Sequence, residues 1–116
     1  IGEAASSTLN NYPVNHGFFL QALLTLETPC QEITLVGSRS ELPQFLERIR
    51  RHPHTNRLVL FKEPDAKSES ACFEVGYRKE MKNAGGKMTA YVCEDKACAA
   101  PIAEAGEFER LLAKRR

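Results

Sequence analysis

The sequence predicts an α/β fold: a small three-stranded, largely parallel sheet with a βαβ core, flanked by helices. Two short apolar runs rich in β-forming residues lie on either side of an amphipathic helical pattern, and this unit takes about 30 residues. Strand, helix and strand at this spacing are typical of a parallel pair with a right-handed crossover. We expect strands near 32–37, 57–62 and 88–93 to share one sheet, with the first two parallel.

Length and composition indicate one domain of ordinary soluble character. The chain has 116 residues, of which 42% are hydrophobic and 27% charged, so it can bury a core without a metal or disulfide. Sixteen basic and fifteen acidic residues give a net charge of +1, which argues against nucleic-acid partners and anionic membranes. No apolar run approaches the roughly 20 residues that span a bilayer. We expect a cytoplasmic location.

The first third of the chain predicts helical structure that packs on the sheet. Residues 1–11 are small and polar, and we expect them to be frayed or to be the remnant of a preceding helix. Pro13 suits the first turn of the next helix, where its missing N–H costs nothing. Phe19, Leu23 and Leu26 follow helical spacing and predict a core-facing stripe, which Ala22 and Phe18 widen.

The segment between the first two strands predicts the central helix. Gly37 is expected to turn the chain, Ser40 to cap the helix, and Pro43 to lie in its first turn. The apolar residues of this helix recur at the spacing of a single buried stripe: Leu42, Phe45, Leu46 and Ile49.

The second half is less regular. Residues 63–69 are polar and predict an exposed loop, and 71–82 fit either a strand or, as we prefer, irregular structure with a short helix. Two adjacent glycines at 85–86 predict a turn before the third strand. Residues 103–116 predict a last helix whose inward side chains are Phe108, Leu111 and Leu112.

Several stretches carry a resemblance to a known family. They are Tyr-Pro at 12–13, Glu-Ile-Thr-Leu-Val-Gly at 32–37, Gly-Lys-Met-Thr-Ala-Tyr-Val-Cys at 86–93, Cys-Ala-Ala-Pro at 98–101 and Glu-Phe-Glu-Arg-Leu-Leu at 107–112. Over roughly residues 12 to 114, the chain resembles the extreme C-terminal part of the thioredoxin-domain proteins related to spermatogenesis-associated protein 20.

The resemblance implies a place for this domain in a larger protein. In that family a thioredoxin-like domain precedes an α/α barrel similar to the N-acylglucosamine 2-epimerase and six-hairpin glycosidase folds. Residues 1–116 would then be the single C-terminal α/β domain. The resemblance implies a non-catalytic structural or interaction module, whose partner is the barrel of the same protein. No catalytic residue or cofactor transfers onto this sequence.

Two of the four cysteines form a candidate redox pair. Cys93 and Cys98 lie between the end of a strand and the start of a helix, and a helix N-terminus can lower a thiol pKa. Their spacing is looser than the Cys-x-x-Cys of thioredoxins, and it permits a bond without requiring one. The alternative is two small residues in a loop. We expect reduced thiols, because the cytoplasm keeps most cysteine pairs reduced.

A second candidate site is the turn Gly37-Ser38-Arg39-Ser40. It follows a parallel strand and opens a helix, which is where α/β folds bind phosphate through backbone N–H groups. The fuller glycine-rich fingerprints are missing, so an ordinary turn with a serine cap is the alternative.

The remaining cysteines, histidines and arginines predict neither a metal site nor a catalytic site. A zinc site at Cys93 and Cys98 would need distant ligands such as Cys30, Cys72 or a histidine, and we expect no metal. The three histidines lack a paired acid or nucleophile at a recognisable spacing: His16, His52 and His54. Four arginines without interleaved aromatic residues predict a solvated face: Arg48, Arg50, Arg51 and Arg57.

Overall fold

A computed structural model describes residues 2–64 and 81–114. Most of the predicted loop at 63–69 and of the ambiguous segment at 71–82 lies outside these residues. The described elements, in chain order, are α1 (Gly2–Asn11), a 3-10 helix (Pro13–His16), α2 (Gly17–Glu27), β1 (Gln31–Val36), α3 (Leu42–Arg51), β2 (Arg57–Lys62), β3 (Thr89–Glu94), β4 (Ala97–Cys98) and α4 (Ala105–Lys114).

Within the described residues, the sheet has four strands in the order β2-β1-β3-β4. β1 pairs with β2 in parallel, so the shared sheet and the parallel pair are confirmed. The largely parallel, three-stranded sheet is wrong, because β3 runs antiparallel to β1 and a fourth strand, β4, pairs antiparallel with β3. An apolar run identifies a strand but carries no information about its direction, and β4 is too short to show a pattern.

A tight hairpin joins β3 to β4. Its two loop residues, Asp95 and Lys96, both have positive φ, at 48° and 67°. Two left-handed residues are what a two-residue hairpin with a right-handed strand twist requires. Neither residue is glycine, so the sequence lacks the usual hairpin signature. Beyond β4 the chain stays beside β3, where the backbone groups of Ala90 and Ile102 exchange hydrogen bonds of 2.7 and 3.0 Å.

The main core lies between the sheet and helices α3 and α4. The ring centroids of Phe45 and Phe108 are 5.3 Å apart, joining the two helices over the strands. The predicted stripe of α3 is confirmed, with Phe45 and Ile49 buried and Leu42 and Leu46 packed at its margin. In α4, Phe108 and Leu112 are buried as predicted, while Leu111 is half-buried.

The start of α3 differs from the prediction. Glu41 occupies the N-cap position, so Ser40 is not the cap. The Ser40 hydroxyl instead forms a hydrogen bond of 2.9 Å with that of Ser38. The Glu41 carboxylate accepts a hydrogen bond of 3.1 Å from the backbone N–H of Met88, which ties the start of α3 to the residue before β3.

Residues 2–28 form an N-terminal arm of α1, the 3-10 helix and α2. Residues Gly2–Asn11 form the helix α1, and whether this helix is frayed or continues a preceding one stays a prediction. None of residues 3–28 is buried, so the prediction that α2 buries a stripe is wrong. Phe19 and Leu23 are half-buried, whereas Leu26 is 80% exposed. The radius of gyration of 17.4 Å exceeds the roughly 13 Å of a compact domain of this length, as expected for an arm that does not pack into the core.

Candidate functional site

The hairpin brings Cys93 and Cys98 directly opposite each other. They are cross-strand partners in the β3–β4 ladder, with Cα atoms 3.9 Å apart, and their sulfurs are bonded. The hairpin geometry therefore allows the bond, and the expectation of free thiols under reducing conditions stays a prediction. The sequence spacing alone did not show whether the two sulfurs can reach each other. The two-residue turn brings them together, because it places positions i and i+5 across from each other. Cys30 is half-buried and unbonded.

The two bonded cysteines have different surroundings. Cys93 is 3% exposed and packs in a small cluster with Val36, Met81 and Tyr91, whereas Cys98 lies in an exposed strand. Because side chains alternate along a strand, this cluster is on the face of the sheet opposite α3 and α4. The Tyr91 hydroxyl donates a hydrogen bond of 2.6 Å to the Lys82 carbonyl. This hydrogen bond attaches the backbone next to Met81 to β3.

The Gly37–Ser40 turn lies at the C-terminal end of the parallel strands. Three residues of the turn, Gly37, Ser38 and Arg39, line a surface cleft of about 390 Å³ together with Glu63, Pro64, Asn83 and Gly86. The Arg39 Nε lies 3.0 Å from the Glu63 carboxylate, which neutralises the cation that would attract an anion. The Gly37 N–H donates to the Lys62 carbonyl at 3.0 Å, so this amide is already used. Phosphate binding here stays a prediction.

Gly37 has a packing reason of its own. A Cβ atom built on Gly37 would lie 2.7 Å from the Cα of Met88, closer than non-bonded carbons approach. The glycine therefore lets the end of β1 pass the residue that precedes β3. This contact explains the glycine without any ligand.

Arg57 is a structural residue, and its assignment to a solvated face is wrong. Its Nε donates a hydrogen bond of 2.6 Å to the Oε1 of buried Gln31. Its Nη1 donates to the carbonyls of Ile49 and His52, at 3.3 and 2.5 Å, at the end of α3. Burial lowers the pKa of the Arg57 guanidinium. The side chain thus adds a charged donor at the end of α3, where the Ile49 carbonyl also accepts a hydrogen bond of 3.2 Å from the N–H of His52.

Two of the three histidines also have structural contacts. The Nε2 of His52 lies 3.6 Å from the carboxylate of Glu109, and the Nε of Arg48 lies 3.6 Å from the same group, so Glu109 joins α4 to α3. The Nδ1 of His54 accepts a hydrogen bond of 3.1 Å from the backbone N–H of Asn56. Neither histidine is paired with a nucleophile in these contacts.

Asn56 attaches the arm to the sheet, a role that the sequence did not reveal. Its Nδ2 donates hydrogen bonds of 3.0 Å to the carbonyls of Thr25 and Thr28, at the end of α2. Its own carbonyl accepts a hydrogen bond of 3.0 Å from the N–H of Gln31, the first residue of β1. A single asparagine in a polar loop has no recognisable pattern, so no motif could have identified it.

The arm carries the most exposed apolar surface in the described residues. Phe18 is 93% exposed, and the other exposed large apolar residues of the arm are Tyr12, Val14, Leu20, Leu24 and Leu26. Counting 100° per residue, the apolar side chains of α2 cover roughly two-thirds of its circumference. The half-buried residues Phe19 and Leu23 lie in the middle of this surface, and exposed apolar residues flank them on both sides.

Residues 2–64 and 81–114 contain no group of three or more His, Cys, Asp or Glu side chains arranged to hold a metal ion. No helix in the same residues is long and apolar enough to cross a membrane. No family model, curated protein or solved structure matches the chain.

Proposed function

We propose that this chain is a non-catalytic interaction module whose N-terminal arm docks into a helical domain of a larger protein. The observation that carries the proposal is α2, an apolar helix with no buried residue. Helices α3 and α4 each bury one apolar face against the sheet, and α2 has no equivalent cover. An apolar surface of this kind on a soluble domain marks an interaction site.

The width of the apolar surface of α2 favours a groove between helices as its binding site. A helix that packs on one flat surface needs an apolar stripe of about 100°, and α2 offers more than twice that. Its exposed apolar residues lie on two sides, represented by Phe18 and Leu24. Only elements that contact both sides can cover them. An α/α barrel, the partner implied by the family resemblance, offers grooves of this kind between its helices.

A membrane is a poorer partner for α2 than a protein. Eleven residues of helix span about 16 Å, half of a bilayer core. Helices that lie on membrane surfaces carry Lys and Arg on a polar face, and α2 contains neither residue. We therefore propose a cytoplasmic protein in which this module binds its own chain.

Photo-crosslinking in the full-length parent protein tests the docking. The photoreactive residue p-benzoylphenylalanine replaces Phe18, and mass spectrometry maps its cross-links. We expect cross-links to helical residues that precede this chain in the parent. The control places the same group at exposed Glu107 in α4, where we expect few cross-links. Cross-links from position 18 that map onto residues 31–114, or none at all, would overturn the proposal.

A second candidate function is a thiol–disulfide element built on Cys93 and Cys98. The observation that favours it is their direct cross-strand pairing in an exposed hairpin. A bond across so short a loop restrains few unfolded conformations, so it adds little stability and is better suited to switching than to holding the fold. In the cytoplasm the reduced pair would predominate, and the bond would form under oxidation.

Alkylation without reductant tests this candidate. Thiols are blocked in freshly lysed cells, and mass spectrometry measures how much of the Cys93–Cys98 pair escapes blocking before and after a mild oxidant. We expect blocked thiols before oxidation and a protected pair afterwards. A pair that is fully bonded under reducing growth conditions would show a permanent bond and remove this candidate.

A further inference from the structure

The two cysteines of the disulfide are unequally exposed to solvent. Cys93 is 3% exposed and packed against Val36, Met81 and Tyr91, whereas Cys98 lies in the exposed strand β4. A disulfide is reduced when a thiolate attacks one of its sulfurs, and the rate depends on which sulfur the thiolate can reach. The fold therefore makes the two ends of this bond chemically different.

We propose that Cys98 is the sulfur through which the pair exchanges with external thiols of the glutathione class, and that Cys93 is the internal resolving thiol. This assignment rests on the second candidate function, the thiol–disulfide element. It adds a direction to it: the external thiol meets Cys98 first, and the buried Cys93 never forms the mixed disulfide.

The exchange balances with glutathione as the named reductant. A glutathione thiolate attacks the Sγ of Cys98, forming a mixed disulfide, while the Cys93–Cys98 bond breaks and its electron pair leaves on the Sγ of Cys93. Cys93 takes a proton from water. A second glutathione attacks the glutathione sulfur of the mixed disulfide and releases oxidised glutathione and the Cys98 thiolate, which is protonated. Two glutathione molecules are thus oxidised and the protein disulfide is reduced.

The backbone keeps the two cysteines in register after reduction. The N–H of Ala99 donates a hydrogen bond of 2.9 Å to the Val92 carbonyl, and Ala90 and Ile102 are paired further along. These hydrogen bonds do not involve the sulfurs, so they persist in the dithiol. Oxidation can then run in reverse: Cys98 attacks oxidised glutathione, and Cys93, already opposite, displaces the glutathione and closes the bond.

Two single variants test the assignment in a chain whose other cysteines are replaced, Cys30→Ser and Cys72→Ser. In this background, Cys93→Ser leaves Cys98 and Cys98→Ser leaves Cys93. Each protein is treated with oxidised glutathione, and intact mass follows the adduct. We expect the adduct on Cys98 to form at least about tenfold faster than on Cys93, because exchange requires access to the thiol. Thermal melts establish that both variants are folded.

A second measurement keeps the natural pair intact. The background protein is mixed with reduced glutathione, quenched with acid, blocked with N-ethylmaleimide and cut with trypsin, which separates the cysteines after Lys96. We expect the mixed disulfide on peptide 97–110. An adduct on peptide 88–96, or equal rates in the two variants, would overturn the assignment while leaving the redox candidate. Resistance of the folded protein to every glutathione ratio would instead remove the redox candidate itself.

Discussion

At the scale of single residues, Arg57 shows how burial changes the role of a charged side chain. In the sequence it belongs to a group of arginines that predicts a solvated face. In the structure its guanidinium donates hydrogen bonds to the side chain of Gln31 and to two backbone carbonyls at the end of α3. The planar fork of arginine suits this task because several N–H groups point in fixed directions. Arg57 thus joins the starts of β1 and β2 to the end of α3.

Arg57→Met should lower the free energy of unfolding by about 2–3 kcal/mol, because it leaves buried Gln31 and the helix carbonyls without a charged donor. Urea denaturation measures the change. The matched control is Arg50→Met on the exposed side of α3, which we expect to stay within about 0.5 kcal/mol of wild type. Equal effects of the two substitutions would contradict the structural role of Arg57.

Gly37→Ala should destabilise the protein by about 1–3 kcal/mol, since the added Cβ would lie 2.7 Å from the backbone of Met88. Backbone atoms cannot move aside as a flexible side chain can. The comparison is Gly17→Ala at the start of α2, where a Cβ meets nothing within 4 Å and the helix gains a better former. Its denaturation midpoint should be unchanged or slightly higher. A wild-type midpoint for Gly37→Ala would show that β1 and β3 can separate freely.

At the scale of elements, hydrophobic periodicity predicted where the helices and strands lie in the sequence. It was less successful at predicting which surface each element packs against. The stripe of α3 has Arg and Gln on its opposite side, and one buried face follows. The stripe of α2 lies within a much wider apolar surface, and the same rule placed it on the sheet incorrectly. A repeat of apolar residues shows that a helix needs cover. It does not show which surface provides it.

Phe45→Ala tests the packing of α3 on the sheet. Phe45 is almost fully buried and contacts the ring of Phe108, so its removal should cost about 3 kcal/mol or more. Phe18→Ala is the matched control, because Phe18 is 93% exposed and its loss should leave the denaturation midpoint near that of wild type. If both variants unfold at the same urea concentration as wild type, the α3 stripe does not form the core.

Cys98→Ser tests how much the hairpin depends on its bond. Closing a loop of so few residues should contribute about 2 kcal/mol at most, and the backbone hydrogen bonds of the hairpin remain. We expect a small stability loss under oxidising conditions. The control is wild type in the presence of a reductant, which should match the variant. A variant that fails to fold, while reduced wild type stays folded, would contradict this estimate.

At the scale of the whole molecule, the described chain divides into a packed sheet domain and an arm. The sequence predicted the α/β class and the parallel pair because these follow from local runs and spacing. It did not predict the Cys93–Cys98 bond, which depends on two non-glycine residues adopting positive φ. It also did not predict the exposed arm, because exposure depends on what surrounds a helix rather than on the residues within it.

An arm that lacks its partner should make the isolated chain self-associate. Replacing both Phe18 and Leu26 by lysine removes two of the most exposed apolar side chains and should shift sedimentation velocity toward the monomer. The melting temperature should change little, because neither side chain packs in the core. The charge-matched control adds two lysines to the sheet domain, at exposed Gln44 and Ala113, and should associate as wild type does. If this control dissociates equally, charge repulsion explains the effect. If the arm variant melts several degrees lower, the arm belongs to the fold of this domain and is not a docking element.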